Sequence, residues 1–203
     1  MSYYYNIYTD FIGYKIGIDL PFDTIQQLPP LGPLVVPRYG GIQAVRVAAN
    51  SSEKVNSQGF AIGLNYYFFK YYAFNGNYSY NELTTNVKDE IVPAFNTPNN
   101  KYNVGISGRD LPIHWSNNTI GFNINYKWIE GFTFEGSPQF TGYVPSYDLL
   151  DAQISLNIPK KFLSLKAGAS NVLNNKQFQT YGGPRIGRMA YISLTYEFKS
   201  KIN

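Results

Sequence analysis

The chain has 203 residues, of which 15% are charged and 17% aromatic, and its formal net charge is +4. So many rings with so few charges exclude extensive disorder, and an ordinary soluble domain carries about 25% charged residues. Polar residues interrupt every apolar stretch, so no run of about 20 apolar residues exists to form a membrane-spanning helix.

Cysteine is absent and His114 is the only histidine, which excludes disulfides, thiolate catalysis and metal sites built on Cys or His clusters. Lys and Arg are scattered along the chain, so nucleic acid is not expected as a partner. We find no catalytic constellation and expect no enzyme activity, cofactor or metal. Residues 2–10 lack the features of a leader peptide, so an exported protein would need a different N-terminus.

Period-two alternation is the strongest pattern in the chain, and it predicts β-strands. In 120–128, Ile and aromatic residues alternate with Gly, Asn and Lys, and in 163–171 Leu and Ala alternate with Ser, Lys and Gly. Eight antiparallel strands are predicted in all, at 3–8, 60–68, 72–80, 102–107, 120–128, 150–158, 163–171 and 190–198.

The two faces of these strands differ in a way that points to a membrane. The polar face carries Asn, Ser, Gly and Gln, whereas the apolar face has rings near the strand ends and Ile, Leu or Ala between them. Transmembrane β-barrel strands have this pattern, with apolar residues toward lipid and aromatic girdles at the interfaces. A soluble sandwich or ligand-binding barrel also alternates, and that alternative stays open.

The predicted connections alternate between long and short. The short ones centre on 70–71, 111–117 and 159–161, and the long ones are 14–41, 83–99, 135–145 and 172–187. Outer-membrane barrels have short periplasmic turns and long outer loops. The alternation therefore favours an all-β transmembrane meander with every long loop outside.

The N-terminal third is less clear than the rest. The loop 14–41 contains Pro21, Pro29, Pro30, Pro33 and Pro37, so we expect it to be irregular and semi-rigid rather than a sheet. Segment 42–48 is either the upper half of a long strand that continues through 60–69, or a separate strand with a turn at 51–52. The even total of eight strands favours the first alternative.

Short motifs near the C-terminus resemble those of TonB-dependent outer-membrane receptors. The run 171–178, Asn-Val-Leu-Asn-Asn-Lys-Gln-Phe, resembles the family's Asn-Leu-Phe/Leu-Asn/Asp-Lys-x-Tyr motif. The run 183–188, Gly-Pro-Arg-Ile-Gly-Arg, resembles its Pro…Gly-Arg element, and it precedes an aromatic strand that closes at Phe198.

Further matches follow the family order upstream. Residues 56–60 and 77–80 resemble two strand segments, although Ala61 stands where an acidic residue is common. Pro98 and Tyr102 match the approach to the next strand. The ordered set is most similar to receptors of the Bacteroidota type.

This resemblance implies a larger object, because such receptors are 22-stranded barrels with a plug in the lumen. Residues 1–203 would then be a C-terminal part of the barrel, without the plug and N-terminal strands. An open sheet leaves two edge strands with unpaired backbone N–H and C=O groups, and the hydrocarbon of a membrane offers these groups no hydrogen-bond partners. We therefore expect a fragment or truncated product with Met1 at an internal start. The resemblance also implies an outer-membrane location and uptake of a bulky solute, such as an iron-siderophore, a vitamin or an oligosaccharide.

The implied partners are outer-membrane lipid, the missing plug and remaining strands, the TonB energy complex acting through that plug, and the barrel-assembly machinery. Two other functions stay open. One is a complete eight-stranded barrel with a structural or adhesive role, for which large charge-paired lumen residues would be expected. The other is a soluble lipid- or sugar-binding β-barrel, which would need no detergent.

Ligand contacts are expected in the long outer loops, because rings stack on sugars or flat chelates and arginine pairs with anions. The candidates are Arg38, Tyr39, Phe95, Phe140, Tyr143, Tyr181 and Arg185. Packing of these rings among themselves is the alternative.

Two further groups of residues are singled out. By resemblance, the first group is expected to carry the barrel-assembly signal of the last strand. It comprises Tyr191, Leu194, Tyr196 and Phe198. The second is expected to face the lumen and contact the plug, and comprises Arg109, Lys127 and Lys166.

Overall fold

The computed structural model describes residues 1–28, 32–51, 53–84, 95–136 and 140–198, with the backbone alone at 24–28, 32–34, 37 and 39. Short 3-10 turns occur at Tyr39–Gly41 and Pro159–Lys161. None of the described segments forms a helix of the length and hydrophobicity needed to span a bilayer. The strands are β1 (Ser2–Tyr8), β2 (Ile12–Asp19), β3 (Phe22–Leu28), β4 (Gly32–Pro37), β5 (Gln43–Asn50), β6 (Val55–Phe68), β7 (Tyr72–Leu83), β8 (Asn100–Pro112), β9 (Thr119–Ile129), β10 (Phe132–Glu135), β11 (Thr141–Val144), β12 (Tyr147–Ile158), β13 (Leu163–Ser170), β14 (Gln177–Phe178), β15 (Arg185–Ile186) and β16 (Met189–Tyr196).

Eight strands form one antiparallel sheet in the order β1-β6-β7-β8-β9-β12-β13-β16, so each sheet strand pairs with the next sheet strand along the chain. This meander contains all eight predicted strands, and the antiparallel all-β prediction is confirmed. Several strands are longer than predicted. β6 begins at Val55, and β8 runs to Pro112 through a register shift between Gly108 and Leu111.

The apolar positions of the sheet strands share one face, and they are exposed. Register places Ile106 between Phe74 and Ile124 on this face. Leu64 is 57% exposed and Ile192 85% exposed. Continuous apolar surface of this kind marks a membrane or protein contact area. We call it the outward face.

Aromatic rings border the outward face at both ends. Tyr102 stacks on Trp128 with ring centroids 5.4 Å apart at one end, and Phe68 stacks on Tyr72 at 5.7 Å at the other. Along β6, Phe60 belongs to the first border and Phe68 to the second, a separation of about 26 Å at ~3.3 Å per residue. This spacing is close to the apolar band of a transmembrane barrel, about 25 Å tall.

The opposite, inward face is polar and concave. Its concavity has a volume of about 1490 Å³ and is lined by side chains such as Asn123 and Ser155. Arg109 and Lys166 also line it, and Lys127 shares the face because it pairs with Asn103. The three residues expected in the lumen therefore lie on the inward side.

A tyrosine on the inward face holds the first edge strand. Tyr4 on β1 lies opposite Gly59 on β6, and its hydroxyl donates to Asn81 Oδ1 on β7 at 2.8 Å. A Cβ on Gly59 would lie 2.7 Å from the Tyr4 ring. Glycine is needed here because the ring occupies the space of a side chain.

The other edge strand uses the same arrangement. Tyr191 on β16 lies opposite Gly168 on β13, and its hydroxyl donates to Gln153 Oε1 on β12 at 2.6 Å. A Cβ on Gly168 would lie 2.7 Å from the Tyr191 hydroxyl oxygen. Each edge of the sheet is therefore tied across its neighbour to a third strand.

Long and short connections alternate as predicted, and each kind lies at its own end of the sheet. Antiparallel neighbours reverse direction at every connection, which places the short turns 69–71, 113–118 and 159–162 together at what we call the short-turn end. The opposite end, which we call the outer rim, carries the connections 9–54, 84–99, 130–146 and 171–188.

The first rim connection is a two-part β-hairpin, so the prediction of an irregular loop at 14–41 is wrong. β2 pairs with β5, and beyond them β3 pairs with β4. Each strand of a two-stranded ribbon has one open edge, where proline is tolerated. Pro33 and Pro37 lie within β4 and Pro21 directly precedes β3, while Pro29 and Pro30 lie outside the described residues. We call this hairpin the outer arm.

Segment 42–48 belongs to a separate strand, so the alternative of one long strand continuing through 60–69 is wrong. β5 ends at Asn50, and the Ser51 N–H donates to the Phe11 carbonyl at 2.7 Å, which closes the base of the outer arm. Position 52 of the expected turn lies outside the described residues. The main sheet keeps eight strands because β5 pairs within the arm.

The sheet is open, and its core is small. β1 and β16 are its edges and do not pair with each other in the part of the chain that the structure describes. Within the same ranges the buried apolar side chains are Val55, Val144 and Tyr147. The fold therefore depends on what covers its outward face and its edges.

Candidate functional site at the outer rim

The predicted ligand residues all lie in the rim connections. The Tyr39 side chain lies outside the described residues. The seven are spread over all four connections, with Arg38 and Tyr39 in the outer arm, Phe95 in 84–99, Phe140 and Tyr143 in 130–146, and Tyr181 and Arg185 in 171–188.

A cleft of about 320 Å³ opens between two of these connections. Phe95 and Tyr143 line it together, and sequence reasoning had selected both. The lining also includes Phe132, Glu130 and Glu135. We call this the rim cleft, and it combines aromatic rings with carboxylates.

Asn96 fixes one wall of the rim cleft to the other. Its side-chain amide donates to the Glu135 carbonyl at 3.1 Å, and its Oδ1 accepts from the Glu135 N–H at 2.6 Å. Its φ of 44° lies in the left-handed region, which Asn tolerates better than most residues. The chain at 95–99 is thereby held beside β10 by contacts like those of a paired strand.

A second set of hydrogen bonds joins the ends of β8 and β9 below the cleft. Glu130 Oε2 accepts from the N–H of Asn100 at 2.9 Å and from its amide at 2.7 Å. The Tyr78 hydroxyl donates to Asn100 Oδ1. Gly131 N–H donates to Ser146 Oγ at 2.9 Å, which ties in the start of β12. The cleft is therefore preformed on the ends of the sheet strands.

Tyr143 is held in place while much of its side chain stays accessible. Its ring lies over Gly131, where a Cβ would be 2.7 Å from the ring Cζ. The residue is 61% exposed. Glycine at 131 leaves room for a ring that is supported from behind and open in front.

Glu135 is half-buried in the rim cleft, and this burial raises the pKa of its carboxyl group. Arg46 on β5 lies near enough to oppose the rise by favouring the charged form. The Arg46 guanidinium lies over the Tyr14 ring, 3.5 Å from its centroid. The outer arm is therefore coupled electrostatically to the cleft.

Phe140 and Tyr181 hold two rim connections together, because each ring packs on a glycine of the other connection. The Phe140 ring lies on Gly182, which has a φ of 73°, and the Tyr181 ring lies on Gly142. A Cβ on Gly142 would be 2.5 Å from the Tyr181 Cζ. The two residues remain 52% and 39% exposed, so packing uses only part of each ring.

Both predicted arginines already have partners within the chain. Arg38 Nε donates to the two carboxylate oxygens of Asp23 at 3.0 and 2.9 Å, and this hydrogen bonding lowers the pKa of Asp23. The Arg185 guanidinium lies 4.4 Å from the centroid of the Phe178 ring. Neither arginine belongs to the described lining of the rim cleft.

The motif-like run 171–178 forms a connection built on asparagines. Asn171 and Asn174 have φ values of 50° and 58°, which suit Asn. Asn171 Oδ1 accepts from the Asn175 N–H at 2.9 Å, and Asp151 Oδ1 accepts from the Asn171 N–H at 2.9 Å. The motif therefore turns the chain tightly after β13 and fastens it to β12.

The four residues expected to signal barrel assembly do not share one face. Leu194 and Tyr196 are 64% and 52% exposed, and the Phe198 ring lies 4.8 Å from the Tyr196 ring. Tyr191 points inward to Gln153. Recognition by the assembly machinery stays a prediction.

Sequence reasoning missed Asn96, Glu135, Arg46 and Tyr14. A signal existed for Asn96, because Asn-Thr-Pro at 96–98 is typical of a turn. Glu135 falls at the start of the predicted loop 135–145, and its burial depends on a connection distant in sequence. Within the described ranges, no group of three or more His, Asp or Glu side chains is placed to hold a metal ion.

A protein-family profile described as TonB dependent receptor-like, beta-barrel matches residues 1–172. These residues include every strand of the eight-stranded sheet except β16. Neither the curated proteins nor the solved structures contain a significant match to the chain. The matched family consists of outer-membrane receptors and transporters rather than enzymes. The predicted resemblance, location and non-enzymatic role are therefore confirmed, while the Bacteroidota-type origin stays a prediction.

Proposed function

The chain belongs to the TonB dependent receptor-like β-barrel family, and from this premise we propose that it forms the wall and outer rim of a receptor that imports a bulky solute. The solute is an iron-siderophore, a vitamin or an oligosaccharide. It is captured at the outer rim and passes along the inward face. The driving force comes from the TonB energy complex, which pulls on a plug within the barrel.

The observation that carries this proposal is the sorting of the connections. All four long connections lie at one end, and two of them enclose the rim cleft. Side chains from the sheet ends and from neighbouring connections hold the cleft open. A receptor needs such a preformed concave site where the solute arrives.

The inward face supports a wide barrel. Many of its residues along the strands are small and uncharged, such as Ser107, Gly121 and Asn123, and they surround a concavity of about 1490 Å³ whose lining also includes Arg109 and Lys166. A closed eight-stranded barrel has an interior that side chains fill. Because β1 and β16 remain unpaired with each other within the described ranges, we propose that residues 1–203 are a C-terminal barrel part, completed by further strands and a plug.

The remaining partners follow from the same proposal. Lipid covers the outward face, and the plug contacts Arg109 and Lys166 on the inward face. The barrel-assembly machinery acts on β16. The rim residues Arg38, Tyr39, Phe95, Phe140, Tyr143, Tyr181 and Arg185 stay candidates for solute contact.

An uptake assay tests the proposal in the organism that carries the gene. Deletion of the gene is expected to abolish energy-dependent accumulation of one of three radiolabelled solutes: a ferric siderophore, cobalamin or an oligosaccharide. A chromosomal F95A/Y143A double variant should lower that accumulation at least about tenfold, a loss of ~1.4 kcal/mol of solute binding.

Trp115→Ala is the matched control, because Trp115 is 90% exposed on a turn at the short-turn end. It should leave accumulation unchanged. The proposal is contradicted if neither deletion of the gene nor a protonophore changes the uptake of any of the three solutes.

A further inference from the structure

We propose that the rim cleft is a subsite for a neutral, polyhydroxylated ring, such as one or two sugar units of an oligosaccharide, and not for an anionic iron chelate. This inference rests on the proposed function, since it names the solute class that the outer rim receives. It goes beyond that function because family membership is compatible with all three solute classes.

The size of the cleft limits what it holds. Its volume of about 320 Å³ lies at the lower end of the usual range for small-molecule sites, about 300–1,000 Å³. A bulky solute cannot enter it whole. A chain of repeated small rings can place one or two units in the cleft while the remainder lies along the rim.

The rings that line the cleft suit a flat, weakly polar surface. Phe95, Phe132 and Tyr143 contribute three aromatic side chains. Tyr143 is the most accessible of the three, and its ring is supported by Gly131. An aromatic face packs against the C–H side of a sugar ring, and its apolar area is then removed from water.

The polar groups of the cleft combine two carboxylates with the side chains of Thr97, Asn99, Thr133 and Tyr143, which can both donate and accept hydrogen bonds. When they are ionised, Glu130 and Glu135 can only accept hydrogen bonds, and one carboxylate oxygen of Glu130 already accepts from Asn100. The side-chain amide of Asn96 is occupied by the Glu135 backbone. A ligand that both donates and accepts hydrogen bonds fits this set of groups, and a sugar ring carries several hydroxyl groups that do both.

Charge argues against an anionic occupant. The described lining contains the carboxylates of Glu130 and Glu135 and no lysine or arginine. Arg46 lies near Glu135 but stacks on Tyr14. The charged groups of the described lining are therefore both carboxylates, which repel an entering anion when they are ionised.

The two rim arginines expected to contact an anionic ligand have partners away from the cleft. Arg38 is paired with Asp23, and Arg185 lies over Phe178. Neither belongs to the described lining of the cleft. The cleft therefore suits a neutral ligand with hydroxyl groups.

A binding experiment with the full gene product, purified from outer membranes in detergent, tests the inference. The probes are neutral hexasaccharides of glucose, mannose, galactose and xylose, with ferric citrate as the anionic chelate. Calorimetry should detect at least one hexasaccharide and no ferric citrate. Tyr143→Ala should weaken hexasaccharide binding at least about tenfold, and Glu135→Gln should weaken it less while leaving the Asn96 contacts to the backbone intact.

Tyr67→Ala is the matched control, since Tyr67 is 78% exposed on the inward face near the short-turn end. It should bind the hexasaccharide as the wild type does. The inference is overturned if no hexasaccharide binds, if Tyr143→Ala binds it normally, or if ferric citrate displaces it from the cleft. Energy-dependent uptake of a ferric siderophore together with any of these results would overturn the inference and leave the proposed function standing.

Discussion

Gly59→Ala is expected to destabilise the membrane-inserted protein by about 1–3 kcal/mol, the usual cost of overpacking a close contact. The new Cβ would lie 2.7 Å from the Tyr4 ring and closer still to the carbonyl oxygen of Tyr80. The Tyr80 carbonyl belongs to the backbone of β7 and cannot turn away, so β6 must move relative to β7. The Tyr4 ring also lies too close to the new Cβ, so Tyr4 and β1 must shift as well. The hydrogen bond from Tyr4 to Asn81 is then lost, and the edge strand loosens.

The measurement is the temperature at which the SDS-resistant, fast-migrating form disappears on a gel. Gly63→Ala is the control, since Gly63 lies on the same face of β6 and a Cβ there would have its nearest neighbours at 3.9 and 4.0 Å. Gly63→Ala should resemble the wild type. Equal losses in both variants, or none in Gly59→Ala, would show that the tyrosine over Gly59 does not hold the edge.

Ile106→Arg is expected to have the larger effect, a loss of about 2–4 kcal/mol, because it places a guanidinium near the middle of the lipid-facing band. Ile106 is paired with Phe74 on one side and Ile124 on the other, and it is 39% exposed in the isolated chain. In the completed barrel that we propose, the exposed part of this side chain meets lipid and no water. The yield of SDS-resistant protein in the outer membrane should fall sharply.

Ser107→Arg supplies the control with the same new side chain one residue along the strand. Ser107 lines the polar inward concavity, beside Ala73 and Asn123. An arginine there reaches polar groups and water, so the yield should stay within about twofold of the wild type, a difference below ~0.5 kcal/mol. Similar yields for Ile106→Arg and Ser107→Arg would contradict the assignment of the two faces.

The eight sheet strands were predictable because each obeys one strict rule. Alternate residues meet different surroundings, so Ile and aromatic residues at 120–128 must take one face and Gly and Asn the other. The rule applies residue by residue and needs no knowledge of distant contacts. Strand ends were less predictable, as at β8, where the register shift after Gly108 carries the strand to Pro112.

The outer arm was missed because prolines were weighed as though every strand had two neighbours. A two-stranded ribbon leaves an open edge on each strand, and Pro33 and Pro37 are accommodated there. The alternation of Ile12, Tyr14, Ile16 and Ile18 was a readable signal for β2. This alternation crosses residue 14, where the irregular loop 14–41 was expected to begin.

The candidate site was predictable in residue type but not in grouping. Aromatic residues in long loops indicated Phe95 and Tyr143, and both line the rim cleft. Nothing local showed that Asn96 binds the Glu135 backbone 39 positions away, or that Arg38 is paired with Asp23. Such pairings depend on how separate connections meet above the sheet, which sequence periodicity does not determine.

The central claim is that one face of this sheet meets lipid and the other an aqueous lumen, and a nitroxide scan of β9 tests it most directly. The chain has no cysteine, so single substitutions from 123 to 128 can be labelled without background. Collision rates with oxygen should be highest at Ile124, Tyr126 and Trp128, and those with a water-soluble nickel chelate at Asn123, Asn125 and Lys127. An absence of period-two alternation, or high accessibility to the nickel chelate at every position, would contradict the claim.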